Sequence, residues 1–284
     1  MKGATVAIKT TEGKGPRFYF NTDNPDVKLP GVTSIVGMLP KPFLTFWAAK
    51  MAAELAVDSI DFVQQMLDRG GRAAAVQYVS GASRRYTKER SDIGSEAHDM
   101  FERMIRGERV GYVSRDMDPY KRHFSEFLDA VQPELVRAED VAWSDTHAYA
   151  GSFDGILRIR LDENGKPDPA GEPALVVADW KTGKNTYPDV ALQMSAYAHA
   201  DRVIAPDGTS EPMPDFDGAV VLHITPDVCA FKPVRIDKAD VFAQFLHLRE
   251  TFEWDRRVSK TVLGDPIWSA GDDLVTGTQR RASR

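Results

Sequence analysis

The sequence predicts an α/β protein, with a sheet in its second half and a helical elaboration in its first. Three observations lead there. Short apolar runs bounded by Gly and Pro cluster after residue 150, helical periodicity dominates the first 130 residues, and no apolar stretch is long enough to span a bilayer.

With 284 residues, 42% hydrophobic and 27% charged, the chain is expected to be soluble, with material for one substantial domain plus additions. The opening Met1–Ile8 is interrupted by Lys9, which does not suit a secretory signal. The lone Cys229 excludes an internal disulfide or a cysteine zinc cluster and is expected to pack as a small apolar residue. A cytoplasmic site of action follows.

Taken in order, the first 30 residues hold strand-like pieces, Arg17-Phe18-Tyr19-Phe20 being the clearest. Thr33 or Ser34 is placed to cap a short helix through Leu39, which Pro40-Lys41-Pro42 stops. Leu44, Trp47, Ala48, Met51, Ala52 and Leu55 then mark an apolar helix face of the kind that packs in a core, with Lys50 available to face DNA. Further helices are expected over 59–68, 72–79, 91–105 and 118–130. In the third of these, Ile93, Ala97, Met100, Phe101 and Met104 make one apolar stripe, and His98 lies beside it.

Two strands follow. Ala174-Leu175-Val176-Val177-Ala178 suits a strand buried on both faces and runs into Asp179. In 153–161, Phe153, Leu157, Ile159 and Leu161 are expected on one face, and Asp154, Ile156, Arg158 and Arg160 on the other. The polar, Gly- and Pro-rich 162–171 between them reads as a turn, so a hairpin brings Asp154 and Asp179 together. Residues 219–224 and 230–236 read as a second strand pair, and 240–255 as a helix with Phe242, Phe245, Leu246, Leu248 and Phe252 inward. The expected organisation is an N-terminal, mostly helical elaboration over 1–90, a core over 91–265, and a mobile basic tail over 266–284.

The chemistry concentrates between Gly151 and Tyr197. Gly151-Ser152-Phe153-Asp154 precedes Asp179-Trp180-Lys181-Thr182-Gly183-Lys184, and Gln193-Met194-Ser195-Ala196-Tyr197 follows. Alternation puts Asp179 and Lys181 on one side of their strand and Trp180 on the other. Two acids on successive strands, with a lysine two positions after the second, suit a divalent cation held beside a scissile phosphate. An isolated Asp at a strand end is more often a cap or turn residue, and Asp-x-Lys a surface pair; the ordered set is what points to catalysis. The glycine spacing of a phosphate loop is absent around Gly183-Lys184, and there is no His-Glu-x-x-His zinc motif.

This set, over roughly residues 94 to 197, resembles the RecB-type branch of the PD-(D/E)XK nuclease superfamily, and within it the exonuclease-like proteins of phages. The resemblance implies a restriction-endonuclease-like core. It also implies Mg²⁺ or Mn²⁺ bound by Asp154 and Asp179, a water-assisting role for Lys181, and Gln193 and Tyr197 flanking the site as substrate-binding residues. Members of the branch place a metal-binding histidine after a glycine on an earlier helix, and Gly94-Ser95-Glu96-Ala97-His98 matches. Alone, His98 would more often be a hydrogen-bonded helix histidine than a ligand. Glu139 precedes a strand-like Val141-Ala142-Trp143 and stands as a neighbour able to reach the same site. Lys184 could contact a phosphate or simply be a solvated loop lysine. A neighbouring cation would push the Lys181 pKa down. The four-cysteine iron–sulfur cluster of some relatives cannot form here.

The activity so implied is hydrolysis of DNA phosphodiesters, as an exonuclease in phage-type DNA processing or recombination. DNA is the expected partner, with a recombination or replication protein as a further one, no membrane, and the host cytoplasm as the location if the chain is phage-encoded. The net charge of −6 opposes nonspecific binding to polyanions, but Arg69, Arg72, Arg84, Arg85, Lys88 and Arg90 gather basic charge before His98, and Tyr78 and Tyr86 nearby could stack on bases or pack as core. Two alternatives stand beside this reading. One is a nucleic-acid-binding or assembly protein that keeps the fold without cleavage, and the other a metal-dependent hydrolase of a small phosphorylated substrate.

Overall fold

A five-stranded mixed sheet carries the site, with helices on both faces. The computed structural model describes residues 7–11, 13 and 15–268. The basic tail expected over 266–284 lies, from residue 269 onward, outside the described residues.

β1 (Ile8–Thr10), β2 (Phe18–Asn21) and β3 (Asn24–Pro30) form an antiparallel three-stranded sheet. α1 (Val32–Val36) follows, and Val32, Ile35 and Val36 enter the main core. Its start carries no side-chain cap, contrary to the role expected of Thr33 or Ser34: Gly31 holds the cap position, and Ser34 Oγ instead accepts a hydrogen bond from the Arg17 amide at 2.9 Å. α2 (Pro42–Asp58) begins with Pro42 in its first turn, where the missing amide costs nothing. α3 (Ile60–Ser80) is interrupted at Gly71, whose φ of 73° suits glycine and separates the two helices expected there.

The core packing expected of α2 is not found. None of its residues is buried; it packs on α3 and on α4 (Ala82–Ile105), with Trp47 edge-on to Tyr86, and Phe46 is 77% exposed. An apolar stripe requires a partner surface but does not say how complete that surface is. Tyr78 is likewise engaged, edge-on to Phe62 and beneath the Arg85 guanidinium.

α5 (Asp118–Val131) leads to β4 (Glu134–Ala138), β5 (Val141–Ser144), β6 (Tyr149–Ser152), β7 (Gly155–Leu161) and β8 (Glu172–Lys181). α6 (Val190–Ala198), β9 (Arg202–Ile204), β10 (Ser210–Pro212), β11 (Gly218–Ile224), β12 (Cys229–Val234) and α7 (Ala243–Arg256) complete the fold. The five-stranded sheet has the order β12-β11-β8-β7-β4, with β8 and β11 parallel and the other pairs antiparallel. A four-stranded sheet, β10-β9-β5-β6, continues from it through the short break between β6 and β7. Among the described residues no helix is long and apolar enough to cross a membrane.

β8 occupies the middle of the five-stranded sheet, so its alternate residues face two cores. Val177 packs with Phe153, Met194, Tyr197 and Phe245 on the side of α1, α6 and α7. Val176, Ala178 and Trp180 pack on the side of α4 and α5. Trp180 meets Phe124 edge-on at 5.6 Å between ring centroids, an arrangement worth about 0.5–1.5 kcal/mol beyond area burial.

Two further expectations are corrected. Phe153 packs against Tyr197 and not on the face of Leu157 and Ile159, because β6 ends at Ser152 and β7 starts only at Gly155; the bend at Asp154 resets the alternation. Cys229 is exposed, since it opens the edge strand β12, where a side chain need not meet a second layer.

Gly151 lies where β6 crosses α1 and α6. A Cβ there would stand 2.8 Å from Tyr197 Cε1 and 2.9 Å from Val32 Cγ2, inside any normal contact distance. Gly151→Ala is therefore expected to cost about 1–3 kcal/mol by overpacking, read as a lower urea midpoint; an unchanged midpoint would refute the packing described.

Candidate active site

Three elements deliver the acidic centre. Pairing of Gly155 with Ala178 aligns β7 and β8 so that Asp154 and Asp179 emerge at the same end of the hairpin. The Trp180 amide donates to Asp154 Oδ2 at 2.5 Å, which fixes the first carboxylate to the strand that carries the second. The other oxygen, Oδ1, lies 3.3 Å from His98 Nδ1 on α4. Gly94, one turn before His98, lets α4 close on the loop after β8: a Cβ at 94 would stand 3.1 Å from Thr182 Oγ1.

Asp179 is 3% exposed. Its Oδ1 accepts from Gln193 Nε2 at 2.9 Å, while its Oδ2 lies 2.5 Å from Lys181 Nζ. That second contact is a close ion pair, so the Lys181 ammonium is the partner of the buried Oδ2. Burial pushes the Asp179 carboxyl up to about 6, with Asp154 adding to the rise and Lys181 opposing it. Burial would lower the Lys181 pKa, but Asp179 and Asp154 outweigh it and hold the ammonium above its ordinary range. Here the lysine itself neutralises the carboxylates; the fall expected of Lys181 is an expectation for the cation-bound site. His98 behaves alike: burial disfavours its charged form, and the bond and charge of Asp154 prevail to raise it.

Gln193 is the hub of this arrangement. Besides bonding Asp179, Nε2 donates to Tyr197 Oη at 3.0 Å, and Oε1 accepts from Lys181 Nζ at 3.3 Å. The i, i+4 spacing on α6 sets Gln193 and Tyr197 on one helix face. Tyr197, 2% exposed, has no surface to offer a substrate, so it acts through Gln193, a correction to the substrate contact expected of it. Lys184 is exposed on the loop after β8, beyond the acidic centre.

Two recesses flank the centre. One, a cleft of about 570 Å³, is lined by His98, Asp154, Thr182, Glu139, Arg17 and Arg90 among others. Of the basic stretch read in the sequence, Arg90 alone reaches this cleft, while Lys88 pairs with Asp92. Arg17, in the loop just before β2, was not singled out from sequence, and no local motif marks it. Glu139 sits at φ 59° between β4 and β5, and burial, helped by Asp154 and Glu102, pushes its pKa up to about 7. The other recess, about 210 Å³, lies beside Lys181 and Gln193 and is lined by Lys41, Asn185, Thr186 and Tyr187.

Among the described residues no three His, Cys, Asp or Glu side chains form a ready-made metal cage. The Asp154 and Asp179 carboxylates nevertheless fit a cation that keeps most of its water, as Mg²⁺ does with one or two protein carboxylates, and the His98 imidazole beside them suits Mn²⁺ better than Mg²⁺. The sequence matches no protein-family model and no curated protein.

Glu139 gives a pH signature. The folded state keeps its proton up to about 7, whereas an unfolded chain releases it near the ordinary 4.5, so the folded state binds more protons within that window. Stability in chelator is expected to fall as pH rises from 4.5 to 7, by on the order of 1–3 kcal/mol after allowance for partial exposure. Denaturant midpoints across that range should fall less steeply in Glu139→Gln, with Asp179, raised to about 6, keeping part of the slope; an equal slope in both proteins would show that Glu139 is not responsible.

Proposed function

We propose that the chain is a metal-dependent nuclease hydrolysing DNA phosphodiester bonds, built on a PD-(D/E)XK core of the RecB type. The observation that carries the reading is the convergence of the buried Asp179–Lys181 pair at the end of β8 with Asp154, just before β7, and His98 on α4. One lysine balances one acid, so the second acid and the imidazole beside the pair leave room for a further positive charge of the kind a divalent cation supplies.

Asp154, Asp179 and His98 are the residues that would hold Mg²⁺ or Mn²⁺. Such an ion supplies Lewis acidity at the phosphoryl oxygen and lowers the pKa of water. Lys181 brings positive charge to where negative charge grows on the phosphate. Gln193 keeps the Asp179 carboxylate and the Lys181 ammonium in one orientation, and Tyr197 keeps Gln193 in place. Arg17 and Arg90 offer cationic contacts for flanking phosphates along the cleft. The open cleft favours a polymer over a small phosphorylated substrate, which would need an enclosing pocket. Exonuclease action on free ends, in DNA processing or recombination, is the form of the activity we propose.

End-labelled linear duplex, linear single-stranded and covalently closed circular DNA, each with Mg²⁺ or Mn²⁺, test this. Linear DNA is expected to be degraded and circles spared, with activity lost in chelator and reduced at least about 100-fold in Asp179→Asn and in Lys181→Ala. Binding of these DNAs without cleavage under either metal would favour the binding-protein alternative.

A further inference from the structure

The recess on the Lys181 side carries features that phosphate chemistry alone does not use. Phe43, in the first turn of α2, and Tyr187, on the loop after β8, stand 5.9 Å apart between ring centroids at 23°, an offset stack. Both rings stay exposed, at 47% and 49%. Tyr187 lines the recess with Lys41, Thr186 and Lys181. Lys41 is held there by Asp189 at 2.5 Å, and the Thr186 hydroxyl is buried without a hydrogen-bond partner. The recess wall thus brings two ammonium groups and the Tyr187 ring to one place, a combination suited to a phosphate with an aromatic base attached.

Size decides how a ligand sits. At about 210 Å³ the recess is smaller than the ~300 Å³ at which pockets begin to enclose a whole small molecule. A nucleotide whose phosphate enters it leaves its base outside, at the rim where the two rings stand. A base within a duplex has both faces covered by its neighbours, so only an unpaired, unstacked base can use those rings.

We infer that Phe43 and Tyr187 form a stacking platform for an unpaired nucleobase beside Lys181, so that the site takes a single-stranded segment of DNA. This rests on the nuclease reading above, and it assigns a ligand to residues that the hydrolytic centre does not need. It also gives the exposed start of α2 a role: the helix carries Phe43 to the site.

The test uses single-stranded oligonucleotides bearing 2-aminopurine at the 5′ end, the middle or the 3′ end, titrated with the full chain in Ca²⁺. Stacking on an aromatic ring quenches this base. Quenching is expected for at least one position, and Phe43→Leu and Tyr187→Leu, which keep apolar bulk and lose the ring, are expected to remove it and weaken binding by about 5- to 100-fold. Circular dichroism melts of both variants close to the native one check folding. Native-like quenching and affinity in both variants overturns the inference, as does binding by the native protein with no quenching at any position while cleavage persists. A native protein that neither binds nor cuts any DNA overturns the nuclease reading, and the stacking platform falls with it.

Discussion

Everything in this site depends on Asp179 and Lys181 being charged at the end of a strand that is otherwise buried on both faces. β8 reaches that end flanked by β7 and β11, so the polar pair cannot turn away to solvent without unpairing the middle of the sheet. Removing carboxylate and ammonium from water costs several kcal/mol per ion, and their mutual attraction offsets this only when further partners complete the shell. Gln193 supplies one such partner on each side, through Nε2 to the acid and Oε1 to the lysine. The oxygen it does not reach, Oδ2, is the one that meets the Lys181 ammonium.

The surrounding fold reads as a set of supports for that pair. Trp180, between the two charged residues in sequence, points into the opposite core and anchors the strand end against Phe124 and Phe127. Its amide meanwhile holds Asp154. Glycines permit the close approaches: Gly94 lets α4 reach the Thr182 loop with His98, and Gly151 lets β6 cross α1 and α6. Helices on both faces thus converge on one strand end, while the loop after β8 opens toward the two recesses.

Much of this was legible in the sequence. The β7–β8 hairpin was, because an apolar run and a Gly/Pro turn leave little choice of topology, and it set Asp154 beside Asp179 before any coordinates. Gln193 and Tyr197 were legible as a helical pair, but not that Tyr197 is sealed from solvent. Burial depends on what crosses over the helix, here Gly151 and Phe153. The bend at Asp154 was missed because period-two alternation carries no sign of an interruption within a continuous apolar pattern. Of the four-stranded sheet only Val141-Ala142-Trp143 read as strand-like, since its strands run only three or four residues, too short for a periodic signal. Arg17, Lys41 and Tyr187 reach the site from three distant parts of the chain, and no local spacing encodes that meeting. α2 misled for the opposite reason, its strong stripe promising a burial the fold does not provide.

The most direct test of the central claim is Mn²⁺ binding followed by electron paramagnetic resonance, with the native chain against Asp154→Asn and Asp179→Asn. A saturable Mn²⁺ site in the native protein that is lost in both variants, with thermal melts unchanged or raised, is what the cation-site account predicts. Equal Mn²⁺ binding in all three proteins, or none in the native chain, would contradict it and leave the Asp179–Lys181 pair a structural ion pair.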